Sequence, residues 1–242
     1  RHAVTKLSHI HLVANEDAKK RIIRLGEHKK YVFNVGCPYV DLIKSTKKVS
    51  KVKLFKKLNL DTNKKTIILI QHAVTTEYGE SKNQIFKTIN VLKKLDHKKF
   101  QIFAIYSNAD PGSKEIIKQI KKAKFNLVKN IISDEFINLM KYSNLLIGNS
   151  SCGIREAPSF KLPAINIGSR QNKRLRAKNV IDVSHSESEI RNAINFALND
   201  KKFKKILKNV RNPYGNGNAS DKIVDILKNI NLKKITNKLK SY

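Results

Sequence analysis

A short segment of small polar residues begins at Gly148 and reads Gly-Asn-Ser-Ser-Cys-Gly. Ser150 and Ser151 supply two hydroxyl donors, while Gly148 and Gly153 allow a sharp turn and close backbone approach. The N–H groups of a following helix attract anions, and the carboxylate of Glu156 could accept from a pair of ribose hydroxyls. The segment predicts a nucleotide diphosphate site, although a Ser/Gly turn that caps a helix has the same composition. It is neither a Walker loop nor GxGxxG, which disfavours ATP hydrolysis and dinucleotide redox chemistry.

A second candidate is His72, which directly follows the apolar run 66–70. A continuous apolar run of this length is typical of a parallel strand that is covered on both faces. A histidine at the carboxyl end of such a strand lies at the ligand edge of the sheet, where it can move a proton or stabilise charge on a leaving phosphate. A purely structural histidine is the alternative.

Three weaker signals follow. Arg170 comes after the apolar run 163–167 and could reach the same ligand, or be solvated. Phe136 could pack against a base, or belong to the core of its helix. The turn 214–219 precedes the last helix, whose N-terminus could touch a phosphate, or it is a plain loop.

The elements that must position these residues alternate between short apolar runs and amphipathic segments. Strands are predicted at 66–70, 100–106, 125–128, 145–148 and 163–167, and helices at 85–95, 113–122, 133–142 and from Gly153 onward. Such alternation indicates βαβ units with right-handed crossovers. The predicted fold class is therefore α/β, with a doubly wound parallel sheet.

Residues 1–45 contain two predicted strands and two predicted helices, which are too few for an independent core. We interpret them as the end of a first α/β domain whose earlier strands are missing. A Lys/Ser-rich stretch at 44–53 resembles a linker. The predicted division is 1–45 as this remnant, 46–215 as the nucleotide-binding domain and 216–242 as a C-terminal helix and tail.

The 242-residue chain has a formal charge of +31, which by itself suggests nucleic acid or an anionic membrane surface as a partner. Only nine of the 50 basic residues are Arg, however, and the Lys residues are spread along the whole chain. Specific phosphate and base recognition favours Arg. An excess of Lys, Ile and Asn is what an AT-rich genome imposes, so we expect no specific nucleic-acid partner. A basic nucleic-acid-binding module is kept as an alternative.

Cys37 and Cys152 are far apart and have no CxxC spacing, so we expect neither a metal site nor a disulfide, and a reducing cytoplasmic location. No apolar run approaches the roughly 20 residues of a membrane-spanning helix, so no membrane insertion is expected. The chain opens on Arg1 instead of on Met and an apolar stretch, so we expect no signal peptide and expect that an upstream segment has been removed.

Four segments in this order resemble the UDP-N-acetylglucosamine 2-epimerase family, in the hydrolysing branch that serves sialic, legionaminic and related nonulosonic acids. They are 71–75, 148–156, 166–171 and 214–219, and residues 1–7 resemble the end of the family's first-domain active site. The resemblance implies two Rossmann-like domains in the glycosyltransferase-B arrangement, with most of the first domain missing here. Ala73 replaces the family's usual Pro, and Lys173 replaces a Gly.

The resemblance also implies roles for the individual residues. Ser150, Ser151 and Gly153 would hold the diphosphate of UDP, and Glu156 would hold the ribose. His72 would assist the departure of UDP. Arg170 would support the nucleotide side of the cleft, and Arg1 matches an active-site arginine of the first domain.

The family's chemistry removes the C2 proton of the sugar, expels UDP and hydrates the resulting glycal, giving an N-acetylmannosamine-type sugar. The carboxylate bases for the first step would lie upstream of Arg1, so this chain alone is expected to bind UDP without turnover. No cofactor is implied, and the full-length protein is expected to form a homodimer or homotetramer. A retaining glycosyltransferase of the same architecture is the second alternative.

Overall fold

The computed structural model describes residues 2–231 and residue 238. The chain divides into two compact units, one formed by Arg1–Ser45 with Asn212–Tyr242 and the other by Thr46–Arg211. We call them unit 1 and unit 2. None of the helices among the described residues is long and apolar enough to cross a membrane.

Eight strands and eleven α-helices are present in the described part of the chain. The strands are β1 His11–Val13, β2 Val32–Asn34, β3 Lys65–Ile70, β4 Phe100–Ile105, β5 Asn126–Val128, β6 Leu145–Gly148, β7 Ala164–Ile167 and β8 Val180–Val183. The helices are α1 His2–Leu7, α2 Glu16–Arg24, α3 Pro38–Ser45, α4 Lys51–Lys57, α5 Ser81–Lys93, α6 Ser113–Ala123, α7 Ser133–Tyr142, α8 Cys152–Arg155, α9 Glu187–Asn199, α10 Lys201–Lys208 and α11 Ala219–Asn229.

Unit 2 is built on a six-stranded, fully parallel sheet with the strand order β5-β4-β3-β6-β7-β8. The chain starts in the middle at β3, moves outward to β5, then returns to β6 and continues in the opposite direction. The strand order therefore reverses between β3 and β6, the position at which doubly wound folds bind ligands beyond the carboxyl ends of their strands. The predicted fold class is confirmed.

The core of unit 2 explains why its strands are continuous apolar runs. Helices cover both faces of the sheet, so β3 is buried from Thr66 to Ile70 and all four residues of β6 and of β7 are buried. Ile67, Leu69 and Ile147 pack with the buried faces of α5 and α9 in one apolar cluster. This rigid layer fixes the positions of the loops that leave the carboxyl ends of β3, β6 and β7.

Unit 1 contains the two-stranded parallel sheet β1-β2 with α1, α2, α3 and α11. Its C-terminal part joins the N-terminal part through hydrogen bonds. The N–H of Cys37 donates to the carbonyl of Tyr214 over 2.7 Å, and the carboxylate of Asp41 accepts from the N–H groups of Ala219 and Ser220. Residues 212–231 thus group with residues 2–45, whereas the sequence-based division places 212–215 with the nucleotide-binding domain and 216–242 apart.

The structure corrects the predicted elements at three places. The 44–53 segment is not a plain linker, because α3 extends to Ser45 and α4 begins at Lys51 with Ser50 as its N-cap. The edge strand β8 was not predicted, since its residues are mostly half-buried and its apolar run is short. The short helix predicted from Gly153 begins at Cys152 and continues into a 3₁₀ segment at Ala157–Phe160.

Candidate functional site

The predicted site residues leave neighbouring strands at one edge of the sheet in unit 2. His72 follows β3 by two residues, Ser150 follows β6 by two, and Arg170 follows β7 by three. In the register of the sheet, Ile70 is paired with Gly148 and Gly148 with Asn166. The three loops therefore start side by side at the point where the strand order reverses.

His72 is held as a neutral imidazole. The side chain is only 6% exposed, and its Nδ1 accepts a hydrogen bond from the backbone N–H of Asn108 over 3.0 Å. Since a backbone N–H can only donate, Nδ1 carries no hydrogen and the ring hydrogen is on Nε2. Burial lowers the pKa of His72 to about 4; the charge of Arg170 acts in the same direction, and Asp110 opposes it. At neutral pH this side chain offers an uncharged Nε2–H donor.

The turn after β6 requires glycine at its first position. Gly148 has φ +130°, and a Cβ atom built there would lie 2.0 Å from the carbonyl oxygen of Ile70. No other residue can bring the β6 turn this close to β3. The N–H of Asn149 then donates to that same carbonyl over 3.1 Å, which extends the pairing beyond the strand.

The two serines after this turn are partly exposed. The Oγ of Ser150 accepts from the thiol of Cys152 over 3.2 Å, so its own hydrogen remains available to an acceptor. Burial raises the pKa of Cys152 to about 12, and the thiol is therefore not a nucleophile at neutral pH. Gly153 packs against Ala164 and Leu146, and its N–H donates to the carbonyl of Ser150 over 3.3 Å. Its predicted contact with a diphosphate stays a prediction.

Glu156 is a buried carboxylate, and only one of its two oxygens has a hydrogen-bond donor within the part of the chain that the structure describes. It is 3% exposed; its Oε1 accepts from Arg155 over 3.0 Å, while its buried Oε2 has no hydrogen-bond partner among the described residues. Burial raises the pKa of Glu156 above its ordinary value, although the neighbouring Arg155 opposes this. A buried acceptor without a donor costs free energy, which a ligand that donates hydrogen bonds would recover.

Arg170 shares an acceptor with its neighbour in sequence. The carbonyl oxygen of Asn149 accepts from the guanidinium of Arg170 over 3.3 Å and from Nε2 of Gln171 over 2.7 Å. Burial lowers the pKa of Arg170, while Asp110 opposes this shift, and the group remains cationic. Arg170 also lines a cavity of about 330 Å³ together with Asp110, Ser169 and residues 73–76, directly after His72.

The remaining predicted residues lie in different surroundings. Phe136 is in the first turn of α7 and is half-buried, so its ring is not part of the fully buried core. Arg1 lies outside the described residues. The N-terminus of α11 is already occupied, because Asp41 accepts from its first two N–H groups.

Two residues of this site were not singled out from the sequence. Asn149 was quoted only as part of the serine-containing segment, and Asn108 was not considered, yet both bond to His72. A polar residue directly after the buried strand β6 was the available signal for Asn149. Asn108 acts through its backbone, which no side-chain pattern reveals.

The arrangement is suited to binding an anion that carries hydroxyl groups. It combines the guanidinium of Arg170, two partly exposed serine hydroxyls, a neutral imidazole donor and the Glu156 oxygen that no described residue donates to. Within the described ranges there is no group of three or more His, Cys, Asp or Glu side chains that could hold a metal ion. A larger cavity of about 570 Å³ in unit 1, near Tyr31 and Ile226, contains none of the predicted site residues.

Comparison with known proteins identifies related sequences over nearly the whole chain. A sequence model of the family described as UDP-N-acetylglucosamine 2-epimerase matches residues 1–228. UDP-N,N'-diacetylbacillosamine 2-epimerase (hydrolyzing) of Legionella pneumophila is 37% identical over all of this chain and 63% of its own length. GDP/UDP-N,N'-diacetylbacillosamine 2-epimerase (hydrolyzing) of Campylobacter jejuni is 39% identical over 98% of this chain and 62% of its own length. The chain thus spans less than two thirds of these relatives.

Solved structures show the same fold. UDP-GlcNAc 2-epimerase from Neisseria meningitidis bound to UDP-GlcNAc aligns with a TM-score of 0.78 at 22% identity, over 95% of this chain and 64% of that chain. The S. aureus MnaA-UDP co-structure aligns with a TM-score of 0.77 at 22% identity, over 100% of this chain and 64% of that chain.

Proposed function

The chain belongs to the UDP-N-acetylglucosamine 2-epimerase family, and from this premise we propose that it is part of a hydrolysing 2-epimerase. The proposed substrate is a UDP-activated 2-acetamido sugar. The observation that carries the proposal is the convergence of His72, Ser150 and Arg170 at the carboxyl ends of β3, β6 and β7. β3 and β6 flank the reversal of strand order, where a nucleotide is expected in a doubly wound fold, and β7 lies next to β6.

The diphosphate is the part of the substrate for which this edge is best suited. Arg170 offers a fixed positive charge, and the Ser150 and Ser151 hydroxyls donate without introducing further charge. The cavity of about 330 Å³ beside Arg170 has room for a phosphate group. Gly153 gives the chain after Ser151 the space to pack on β7.

The ribose is assigned to Glu156. Its buried Oε2 has no hydrogen-bond partner in the described part of the chain, and a ribose diol supplies two O–H donors for a carboxylate acceptor. The bonds that the diol donates favour the ionised carboxylate, so nucleotide binding would lower the pKa that burial has raised. Phe136, half-buried on α7, is proposed to support the nucleotide.

His72 is proposed to act on the departing nucleotide. Its Nε2–H would donate to a phosphate oxygen as the bond between C1 of the sugar and UDP breaks. Because the ring is neutral with a pKa near 4, it stabilises developing negative charge as a fixed donor and does not need to be charged beforehand.

The proposed reaction balances as an elimination followed by a hydration. A base removes the C2 proton and the electron pair forms the C1–C2 double bond while UDP leaves with the C1–O pair. Water then adds its oxygen to C1, and a proton returns to C2 on the opposite face. The sum is UDP-sugar plus water giving UDP and a free sugar of mannosamine type. The base and the homo-oligomeric state belong to this proposal and follow from the resemblance, while the cytoplasmic location follows from the cysteine pattern.

Calorimetry with UDP tests the nucleotide site on the 242-residue chain itself. We expect binding that is lost when Ser150, Ser151 and Glu156 are replaced together, and no steady release of UDP from UDP-sugar by this chain. DNA or RNA binding that depends steeply on salt and survives the triple replacement would instead support a nucleic-acid module. The absence of UDP binding to the folded chain would refute the proposal.

Product analysis with the full-length protein tests the reaction. UDP-N-acetylglucosamine and UDP-N,N'-diacetylbacillosamine are offered separately, since the relatives at 37% and 39% identity carry the second sugar in their names. We expect UDP and a free 2-epimerised sugar, with a preference for the diacetylated substrate. Formation of a glycoside would identify a glycosyltransferase of the same architecture.

A further inference from the structure

Asn149 makes hydrogen bonds with all of its polar groups, although no part of it is exposed. Its side chain forms two bonds to the backbone of His72: Oδ1 accepts from the N–H over 2.7 Å, and Nδ2 donates to the carbonyl over 2.8 Å. Its own N–H donates to Ile70, and its carbonyl accepts from Arg170 and Gln171. Every partner lies at the carboxyl end of β3 or in the loop after β7.

The orientation of this amide follows from its partners. The N–H of His72 can face only an acceptor and the carbonyl of His72 can face only a donor, so exchanging Oδ1 and Nδ2 would break both bonds. A residue at this position must therefore present one acceptor and one donor, about 2.2 Å apart in a planar group, to the N–H and the carbonyl of the same residue. Asparagine meets that requirement at neutral pH without a charge.

We propose that Asn149 is a positioning residue that fixes His72 against the nucleotide, through the paired hydrogen bonds between its side-chain amide and the His72 backbone. The proposal rests on the proposed function, because it assigns His72 to the departing UDP. Asn149 directly precedes Ser150, and its carbonyl also accepts a hydrogen bond from Arg170. One residue therefore sets the distances among the His72 Nε2–H donor, the serine hydroxyls and the Arg170 guanidinium. Misplacing a catalytic donor by about 1 Å can cost on the order of a hundredfold in rate.

Asn138 offers a matched control in the same unit. Its Oδ1 accepts from the N–H of Val49 over 3.0 Å, and its Nδ2 donates to the carbonyl of Lys47 over 3.0 Å, at 2% exposure. Its side-chain amide thus binds a backbone N–H and a backbone carbonyl, as that of Asn149 does, but it makes no hydrogen bond to His72. Replacing either asparagine removes similar hydrogen bonds, so a general loss of stability affects both variants.

The experiment compares Asn149→Ser with Asn138→Ser in the full-length protein. We expect Asn149→Ser to lower kcat about 10- to 100-fold, while KM and the Kd for UDP change less than threefold. Asn138→Ser should change none of these. In ¹⁵N NMR spectra, His72 should show one Nε2–H tautomer in the unsubstituted protein and in Asn138→Ser, and a tautomer mixture in Asn149→Ser. Equal kcat values and equal His72 spectra in the two variants would overturn the proposal.

Asn149→Asp provides a second variant with a pH signature. The introduced carboxylate repels the His72 carbonyl, whereas its protonated form has both an acceptor and a donor, so kcat relative to the unsubstituted protein should recover as the pH falls. Asn138→Asp should show no such recovery in kcat.

Hydrogen exchange of the unsubstituted protein remains decisive if both Asn149 variants fail to fold. We expect the His72 amide to exchange as slowly as the amides of β3, and fast exchange would contradict the positioning role. These measurements on His72 do not depend on turnover. If the unsubstituted protein releases no UDP from either UDP-sugar, the proposed function fails, while the NMR and exchange results still decide whether Asn149 positions His72.

Discussion

The backbone N–H of Asn108 donates to Nδ1 of His72 across 3.0 Å, and this bond selects the form of the imidazole. Asn108 lies just beyond β4 and His72 just beyond β3, which are neighbouring strands in the sheet. Nδ1 can no longer accept this hydrogen bond once it is protonated. The fold therefore favours a neutral ring, in agreement with the low pKa caused by burial.

The stability of unit 2 should depend on pH through His72. Between pH 6.5 and about 4 the unfolded chain binds a proton at this residue and the folded chain does not, so stability falls as the pH falls through that window. A shift from 6.5 to about 4 corresponds to on the order of 3 kcal/mol. Urea unfolding from pH 7 to 4 measures the effect, and His72→Asn should remove that part of the pH dependence. Protonation of the His72 ring near pH 6.5 in an NMR titration would contradict it.

Removing the Nε2–H donor should slow the departure of UDP. We expect His72→Asn to lower kcat of the full-length protein by about 10²- to 10³-fold, as for other donors to a developing negative charge. The Kd for UDP should change much less, because the Arg170 guanidinium and the serine hydroxyls remain. Rapid-quench measurement of UDP release, together with calorimetry, separates the two quantities. An unchanged kcat would remove His72 from the reaction.

Glu156 should make UDP binding depend on pH. The ribose hydroxyls donate to the ionised carboxylate of Glu156. UDP binding should therefore strengthen as the pH rises from the ordinary pKa of glutamate to above the raised pKa of Glu156. Glu156→Gln should weaken binding by about tenfold or more and lose this dependence. The protonation of UDP itself affects both proteins equally. It cancels when the UDP affinity of the unsubstituted protein is divided by that of Glu156→Gln at each pH. A ratio that stays constant with pH would exclude Glu156 as the ribose acceptor.

Gly148→Ala should strongly destabilise unit 2. The new Cβ would lie 2.0 Å from the Ile70 carbonyl and φ is +130°, so the β6 turn must move; we expect a loss of about 3 kcal/mol or more. Gly79→Ala is the control, because Gly79 also has positive φ but no atom of the described residues lies within 4 Å of the added Cβ. That variant should lose only about 1–2 kcal/mol. Similar unfolding midpoints for both variants in urea would show that the close approach to Ile70 is unimportant.

Asp41 should protect the start of α11 in unit 1. Burial alone would raise its pKa, but the N–H groups of Ser220 and Ala219 hold the pKa below its ordinary value. The stabilisation is therefore complete above about pH 4 and is lost as the pH falls through the lowered pKa. Asp41→Asn should cost about 1 kcal/mol, seen as faster hydrogen exchange at Ala219 and Ser220. Asp225→Asn, an exposed change later in α11, should leave those amides unchanged.

The sequence by itself determined the fold class and the family of this protein. The burial of β3, β6 and β7 on both faces makes them continuous apolar runs, so their strands could be predicted from one segment at a time. The motif that begins at Gly148 is also local, because its turn, its serines and Glu156 lie within nine residues. Such features need no knowledge of distant parts of the chain, and the predicted UDP-N-acetylglucosamine 2-epimerase family is confirmed.

Only the tertiary structure decided which partners these residues have. His72 and Asn149 are 77 positions apart and Asp41 and Ala219 are 178 apart, and no periodicity connects them. The edge strand β8 is not predicted from the sequence, because it is not buried on both faces and so lacks the continuous apolar run of β3. The state of His72 depends on a backbone N–H, a group that every residue except proline carries, so side-chain identity alone could not reveal it.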